Sequence, residues 1–249
     1  MALYIDDKVA DLVDLASYEN GILELAKAAE IDLGAKLRAA WEELGWEIEG
    51  FLRRNAGDGE EVSLSQVVAT GQVKRCVCLK ALALAYRDAS GGEGAERYER
   101  RRQMYEALYA QALRELYRAG VGVVSEPLCA GGAPMVKGIA GAGFRGSIYV
   151  GASWVNARGE EGAVSEVVAV EGDGNQVYEV QVGGAPAGAT GWNLYAGWTP
   201  EALQLQNSSP MGLTETWLLG SEGPVAGRSP GTGQPVERWV RETYRLKRG

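Results

Sequence analysis

The sequence predicts an α+β protein with an N-terminal helical bundle, a small β-sandwich after it and an extended C-terminal arm. Three observations predict this. Apolar residues recur at steps of three and four through the first 120 positions, which is helical spacing. Between Gly122 and Gly146 the composition turns glycine-rich, with seven glycines and two prolines. Beyond it come short alternating runs separated by turn residues, the pattern of a small sandwich. The expected divisions are a helical domain at 1–125, a linker at 126–146, the β-sandwich at 147–220 and the arm at 221–249.

The helices follow in order. Asp6 or Asp7 is placed to cap a first helix with Val9, Leu12, Val13 and Ala16 on one face, and Asn20-Gly21 interrupts it. From Ile31 to Arg54, Leu33, Leu37, Trp41, Leu44, Ile48 and Phe51 form one stripe. Asn55 to Gly59 is a loop by its turn chemistry. Ser63 or Ser65 starts the next helix, with Leu64, Val68, Leu79, Leu82 and Tyr86 along it, and Ser90 to Gly94 ends it. A further helix spans about Ala95 to Ala119, striped by Tyr98, Tyr105, Leu108, Ala112 and Leu116 and stopped by Gly120.

The β-patterned runs are Ser147–Asn156, Ala163–Glu171, Gln176–Val182, Trp192–Trp198 and Leu213–Leu219. In the first, Ile148, Val150, Ala152 and Trp154 share one face, and Tyr149, Gly151, Ser153 and Val155 the other. Gly220 to Pro235 reads as the lead of the arm.

Composition narrows the chemistry. The net charge is -8, which argues against a protein that coats nucleic acid. There is no histidine, so the commonest general base and metal ligand is missing. Three cysteines, two of them in a helical pattern, suggest a reducing compartment rather than a disulfide framework. Cys76-Val-Cys78 lacks the further ligands a zinc site needs. Gly141-x-Gly143-x-x-Gly146 matches a dinucleotide fingerprint by letters but precedes strand-type residues, not a helix. Arg97, Arg100, Arg101 and Arg102 alternate with Glu96 and Glu99, as on a solvated helix face. Glu42-Glu43 and Glu60-Glu61 read as acidic surface. Trp154, Trp192, Tyr195 and Trp198 are either a sugar-binding platform or core or half-buried packing. No catalytic site, cofactor or metal is expected, nor any signal peptide or membrane span.

The β-region resembles an immunoglobulin-like or fibronectin III-like module, on the run from Tyr149 to Ser165 and on Gly188-Ala-Thr-Gly-Trp-Asn-Leu-Tyr-Ala-Gly197, with the strand order permuted. The helical half resembles the head–tail connector (adaptor or neck) proteins of tailed bacteriophages. The carrying segments are Leu64 to Ser90, then Glu99 to Gly120, with the Arg245-Leu-Lys-Arg-Gly249 ending.

The resemblance implies a structural virion protein assembled in the host bacterial cytoplasm. It would be a homo-oligomeric ring, a dodecamer in that family, joining the portal protein to tail or neck proteins and passing DNA through its channel without sequence recognition. A carbohydrate- or receptor-binding accessory protein, with the β-module as binder, is the alternative.

The arm is the candidate inter-subunit contact. Residues 236–249 carry a net +3 against -9 over residues 1–61. Trp239, Arg241, Tyr244, Arg245, Lys247 and Arg248 are the residues expected to reach a neighbouring chain. A terminal helix or strand packed on its own β-module is the other reading. On the first, deleting 236–249 leaves the melting temperature nearly unchanged.

Overall fold

The computed structural model describes residues 2–6, 9–57, 61–90 and 95–242. It is α+β, with α-helices in the N-terminal half and antiparallel sheets in the C-terminal half. The chain divides into two compact units. One comprises Asp7–Val123 and Val236–Gly249, the other Met1–Asp6 and Val124–Pro235.

The helical unit holds α1 (Leu12–Tyr18), α2 (Ile22–Ala28), α3 (Leu33–Asn55), α4 (Gly71–Ala89) and α5 (Ala95–Ala119). Asp11, not Asp6 or Asp7, caps α1: its carboxylate accepts from the Asp14 N–H at 2.8 Å, and Asp14 returns the bond to the Asp11 N–H. Asp6 instead sits in the other unit and accepts from the Leu3 and Ala130 N–H groups; burial raises its carboxyl above the usual range. Asp7 lies outside the described residues. The break at Asn20-Gly21 separates α1 from α2. Leu12 and Val13, placed inward by the sequence, are exposed, and Leu15 is the buried residue of α1.

Asp32 caps α3 through the Ala35 N–H. α4 begins at Gly71 under a Thr70 cap, not at Ser63 or Ser65. Ser63 and Gln66 close a single 3₁₀ turn, and the β-branched Val67 and Val68 after it are extended. Val67 bridges Val123, and the Val68 N–H donates to the Gly122 carbonyl. Both valines are fully buried in that pairing.

α4 is buried on nearly every face and packs against both α3 and α5. Phe51 stacks on Tyr117 at 4.2 Å, and Tyr86 on Tyr105 at 5.6 Å. On α5 the inward residues are Tyr105, Tyr109, Ala112 and Leu116, while Tyr98 and Leu108 are half-buried.

β1 (Val121–Val123) leaves α5 through Gly120, whose φ of 109° suits glycine. Its partner is β10 (Arg238–Val240), antiparallel, with Val121 opposite Val240. Residues 238–240 therefore return to the helical unit as a strand. Over these three residues the chain pairs within the helical unit, not on the β-module. Removing residues 236–249 uncovers the edge of β1 and takes away the buried Val240. The expected result is a loss of about 2 kcal/mol, seen as a lower helical melting temperature by circular dichroism; an unchanged melt would contradict the pairing.

The second unit contains a three-stranded sheet, order β2-β5-β9, from β2 (Met135–Ala140), β5 (Gln176–Gln181) and β9 (Trp217–Leu219). It also contains β3 (Arg145–Asn156), β4 (Val168–Asp173), β6 (Ala189–Gly197), β7 (Gln204–Leu205) and β8 (Met211–Gly212). These form a sheet of order β4-β3-β6-β7, with β8 also on β6. Ile148, Val150, Ala152 and Trp154 of β3 share one buried cluster with Trp192, Leu194, Tyr178, Val180 and Leu219.

The glycine-rich 126–146 is not a linker. It forms β2 and the turn into β3, where Gly143 lies so close to the Gln176 carbonyl that a Cβ would stand 1.6 Å from its oxygen. Gly141 and Gly143 thus lie in the connection from β2 to β3, and Gly146 lies in β3 itself, opposite Gly172.

Candidate functional site

The most polar buried assembly lies on the face of β3 and β6 opposite the apolar cluster. Ser153 and Asn193 are cross-strand partners there, and Tyr195 is opposite Gly151, one side-chain step along the same face. The turn after β3 brings Glu161 back beside Val155. Its Oε1 accepts from Asn193 Nδ2 at 3.0 Å, from the Tyr195 hydroxyl at 2.6 Å and from the Ser153 hydroxyl. Its Oε2 accepts from Arg228 at 2.6 Å. The Glu161 side chain is only 13% exposed. Burial opposes its charge, but these donors outweigh burial and hold its pKa below the usual carboxylate range. The same contacts raise the Tyr195 hydroxyl, burial first and the neighbouring carboxylate second.

The network continues through Asn207. Its Nδ2 donates to Asn193 Oδ1 at 2.9 Å, and its Oδ1 accepts from the Leu194 N–H. Arg228 also lies over the Tyr195 ring at 5.8 Å. With donors on both oxygens, the Glu161 carboxylate is a fixed charge that ties β3, β6 and the Arg228 segment together.

What it fastens is the segment expected to be the lead of a free arm. The Gln206 amide accepts from the Val225 N–H at 2.8 Å and donates to the Val225 carbonyl at 3.0 Å. Gln204 Oε1 accepts from the Gly227 N–H, and the Leu205 N–H donates to the Arg228 carbonyl. The fully buried Gln234 accepts from the Leu128 N–H and donates to the Glu126 carbonyl. Residues 221–235 are thus bound along the β unit, through glutamines and one arginine whose partners lie far away in sequence.

The other sequence-derived candidates disperse. Trp154, Trp192 and Tyr195 are buried, leaving only Trp198 of the proposed platform at the surface, 50% exposed. Cys76 and Cys78 are buried, and burial pushes both thiols up to about 12. Both are therefore expected to resist alkylation at pH 8 in the native protein and to label on denaturation, as read by mass spectrometry. Labelling at the native rate of a free thiol would contradict their burial. Among the described residues no group of His, Cys, Asp and Glu could hold a metal ion.

Arg101 pairs with Glu19 at 2.9 Å, and Arg102 with Glu99 and Glu106. Glu43 pairs with Lys80; Glu60 lies outside the described residues. Of the arm residues, Trp239 is exposed on β10, and Arg241 donates to the Ala119 carbonyl at 3.2 Å. Tyr244, Arg245, Lys247 and Arg248 lie outside the described residues.

Sequence reasoning missed the apolar surface of the helical unit. Val13 is 77% exposed, Trp46 68%, and Leu12 and Leu23 45% each. The signal for Trp46 was present: it falls off the Leu33–Phe51 stripe of α3. No helix among the described residues is long and apolar enough to cross a membrane. A scan against protein-family models finds none that matches the chain, and a search of curated proteins finds no match either.

Proposed function

We propose that this chain is a structural subunit of a tailed-phage head–tail connector, assembling as a ring between the portal and the tail or neck. One observation carries the reading. The helical unit, the part that resembles connector proteins, leaves Val13, Trp46, Leu12 and Leu23 in water. Large apolar groups left outside a well-packed core favour a contact surface. The two sheets of the other unit share one apolar cluster, which supports reading that unit as an immunoglobulin- or fibronectin-like β-sandwich used as a surface or spacing domain.

Light scattering after size exclusion, with and without a portal protein, tests the proposal. A closed oligomer, or a stoichiometric complex with the portal, is expected. A chain that stays monomeric and binds no portal overturns it.

A further inference from the structure

Residues 225–228 occupy a sheet edge. β7 is the outer strand of the order β4-β3-β6-β7, and its Leu205 N–H donates to the Arg228 carbonyl at 2.9 Å. The Gln206 amide takes both the N–H and the carbonyl of Val225, and Gln204 accepts from the Gly227 N–H. Contacts to main chain are blind to sequence, but two positions here are not. A Cβ on residue 227 would stand 2.3 Å from the Leu205 carbonyl oxygen, so the edge admits glycine there. Glu161 accepts from the Arg228 guanidinium and so selects a cation at 228. The edge therefore reads Gly-Arg, a pair that occurs once in the chain, at 227–228.

We infer that residues 225–228 of one copy dock on the β7 edge of a second copy, in place of that copy's own segment. The structure itself shows what fits this edge. A second copy brings the identical segment, so every contact made within one chain is available between two. Exchange of an identical element needs no new complementary surface.

The segment is also lightly held. No residue from 224 to 233 is buried. Chain fixed by exposed polar contacts, with little apolar burial, opens at small cost while the core stays folded. Val225 lies six residues after Leu219 of β9, and Arg228 six before the buried Gln234. With both anchors in place, each tether spans up to about 20 Å. An edge left empty by such opening is a docking site for any matching extended segment. Segment and edge are different surfaces, so a copy that gives to one neighbour takes from another. Head-to-tail contacts of that kind close into rings when the rotation permits, and a closed ring leaves no edge unfilled. The inference rests on the ring reading and names the segment that makes the contact.

Sedimentation velocity on the full chain tests it. Gly227→Val spoils the segment and leaves the edge. Gln204→Ala with Gln206→Ala spoils the edge and leaves the segment. Each variant is expected to self-associate about tenfold or more weakly than the wild type. Mixed together, they hold one intact segment and one intact edge, and are expected to form 1:1 dimers that grow no further. A synthetic peptide of residues 223–230 is expected to dissociate those dimers, and the same peptide with Gly227→Ala to leave them intact.

If Gly227→Val perturbs folding, Arg228→Glu spoils the segment instead, by setting a second carboxylate against Glu161. Wild-type assembly by a folded segment variant or a folded edge variant overturns the exchange while leaving the connector reading intact. So does a mixture that associates no better than either variant alone, or a dimer that both peptides or neither dissociates. A wild-type chain that does not self-associate overturns the exchange too, and the portal-binding experiment then decides the connector reading separately.

Discussion

Trp192→Ala is expected to destabilise the β unit by about 3–5 kcal/mol. The side chain is fully buried, faces Trp154 across β3 and β6, and lies in the cluster shared by both sheets. Its indole N–H donates to the Gly212 carbonyl at 3.0 Å, which ties β8 to β6. Truncation therefore empties a large volume and also removes the tie from β6 to the Gly212 carbonyl, which keeps only the Glu215 N–H as donor. Denaturant unfolding followed by tryptophan fluorescence measures the loss. A cost below about 1 kcal/mol would mean that the two sheets do not depend on this residue.

Glu161→Ala is expected to cost about 2–3 kcal/mol, from buried donors left without an acceptor. Ser153, Asn193 and Tyr195 all lose one, whereas Arg228 is half exposed and turns to water. The same group gives a pH signature. Its pKa in the folded protein is held below the unfolded value, so its contribution is present above the ordinary carboxylate range and is lost as pH falls through the lowered folded value. Acid titration of the wild type and of Glu161→Gln is expected to converge at low pH and to separate towards neutrality. Parallel curves across that range would show that the charge of Glu161 contributes nothing. Limited proteolysis adds a local readout: in the variant, cleavage between Gly220 and Pro235 is expected to accelerate, since Arg228 has lost its carboxylate.

How legible the fold was depends on the range over which each element is specified. α3 and α5 are written locally, by a stripe and by caps or glycine stops, and the sequence places them to within about two residues. β3 and β5 follow from alternation. β2 was illegible because its glycines look like linker. Gly143, in the connection that follows β2, marks close backbone approach instead, to the Gln176 carbonyl. Val67 and Val68 were assigned to a helix because their extended pairing is decided by β1, more than 50 residues on. The Glu161 network draws on positions 153, 161, 193, 195 and 228, with no spacing to advertise it. Exposed Trp46 was within reach of the sequence, as the residue that does not fit its own helix stripe.

The pairing of β1 with β10 also sets a timetable for synthesis. All five helices leave the ribosome before Val124, yet the strand that completes their unit begins only after Pro235. The intervening 112 residues take about 6–20 seconds to translate at ordinary rates. Throughout that interval β1 has an unpaired edge and the helices lack their closing strand. A nascent helical unit in this condition is unfinished, and any contact that depends on its finished shape waits for β10. Joining Val123 to Val236 through a short turn would remove the delay, because antiparallel neighbours need only a hairpin between them.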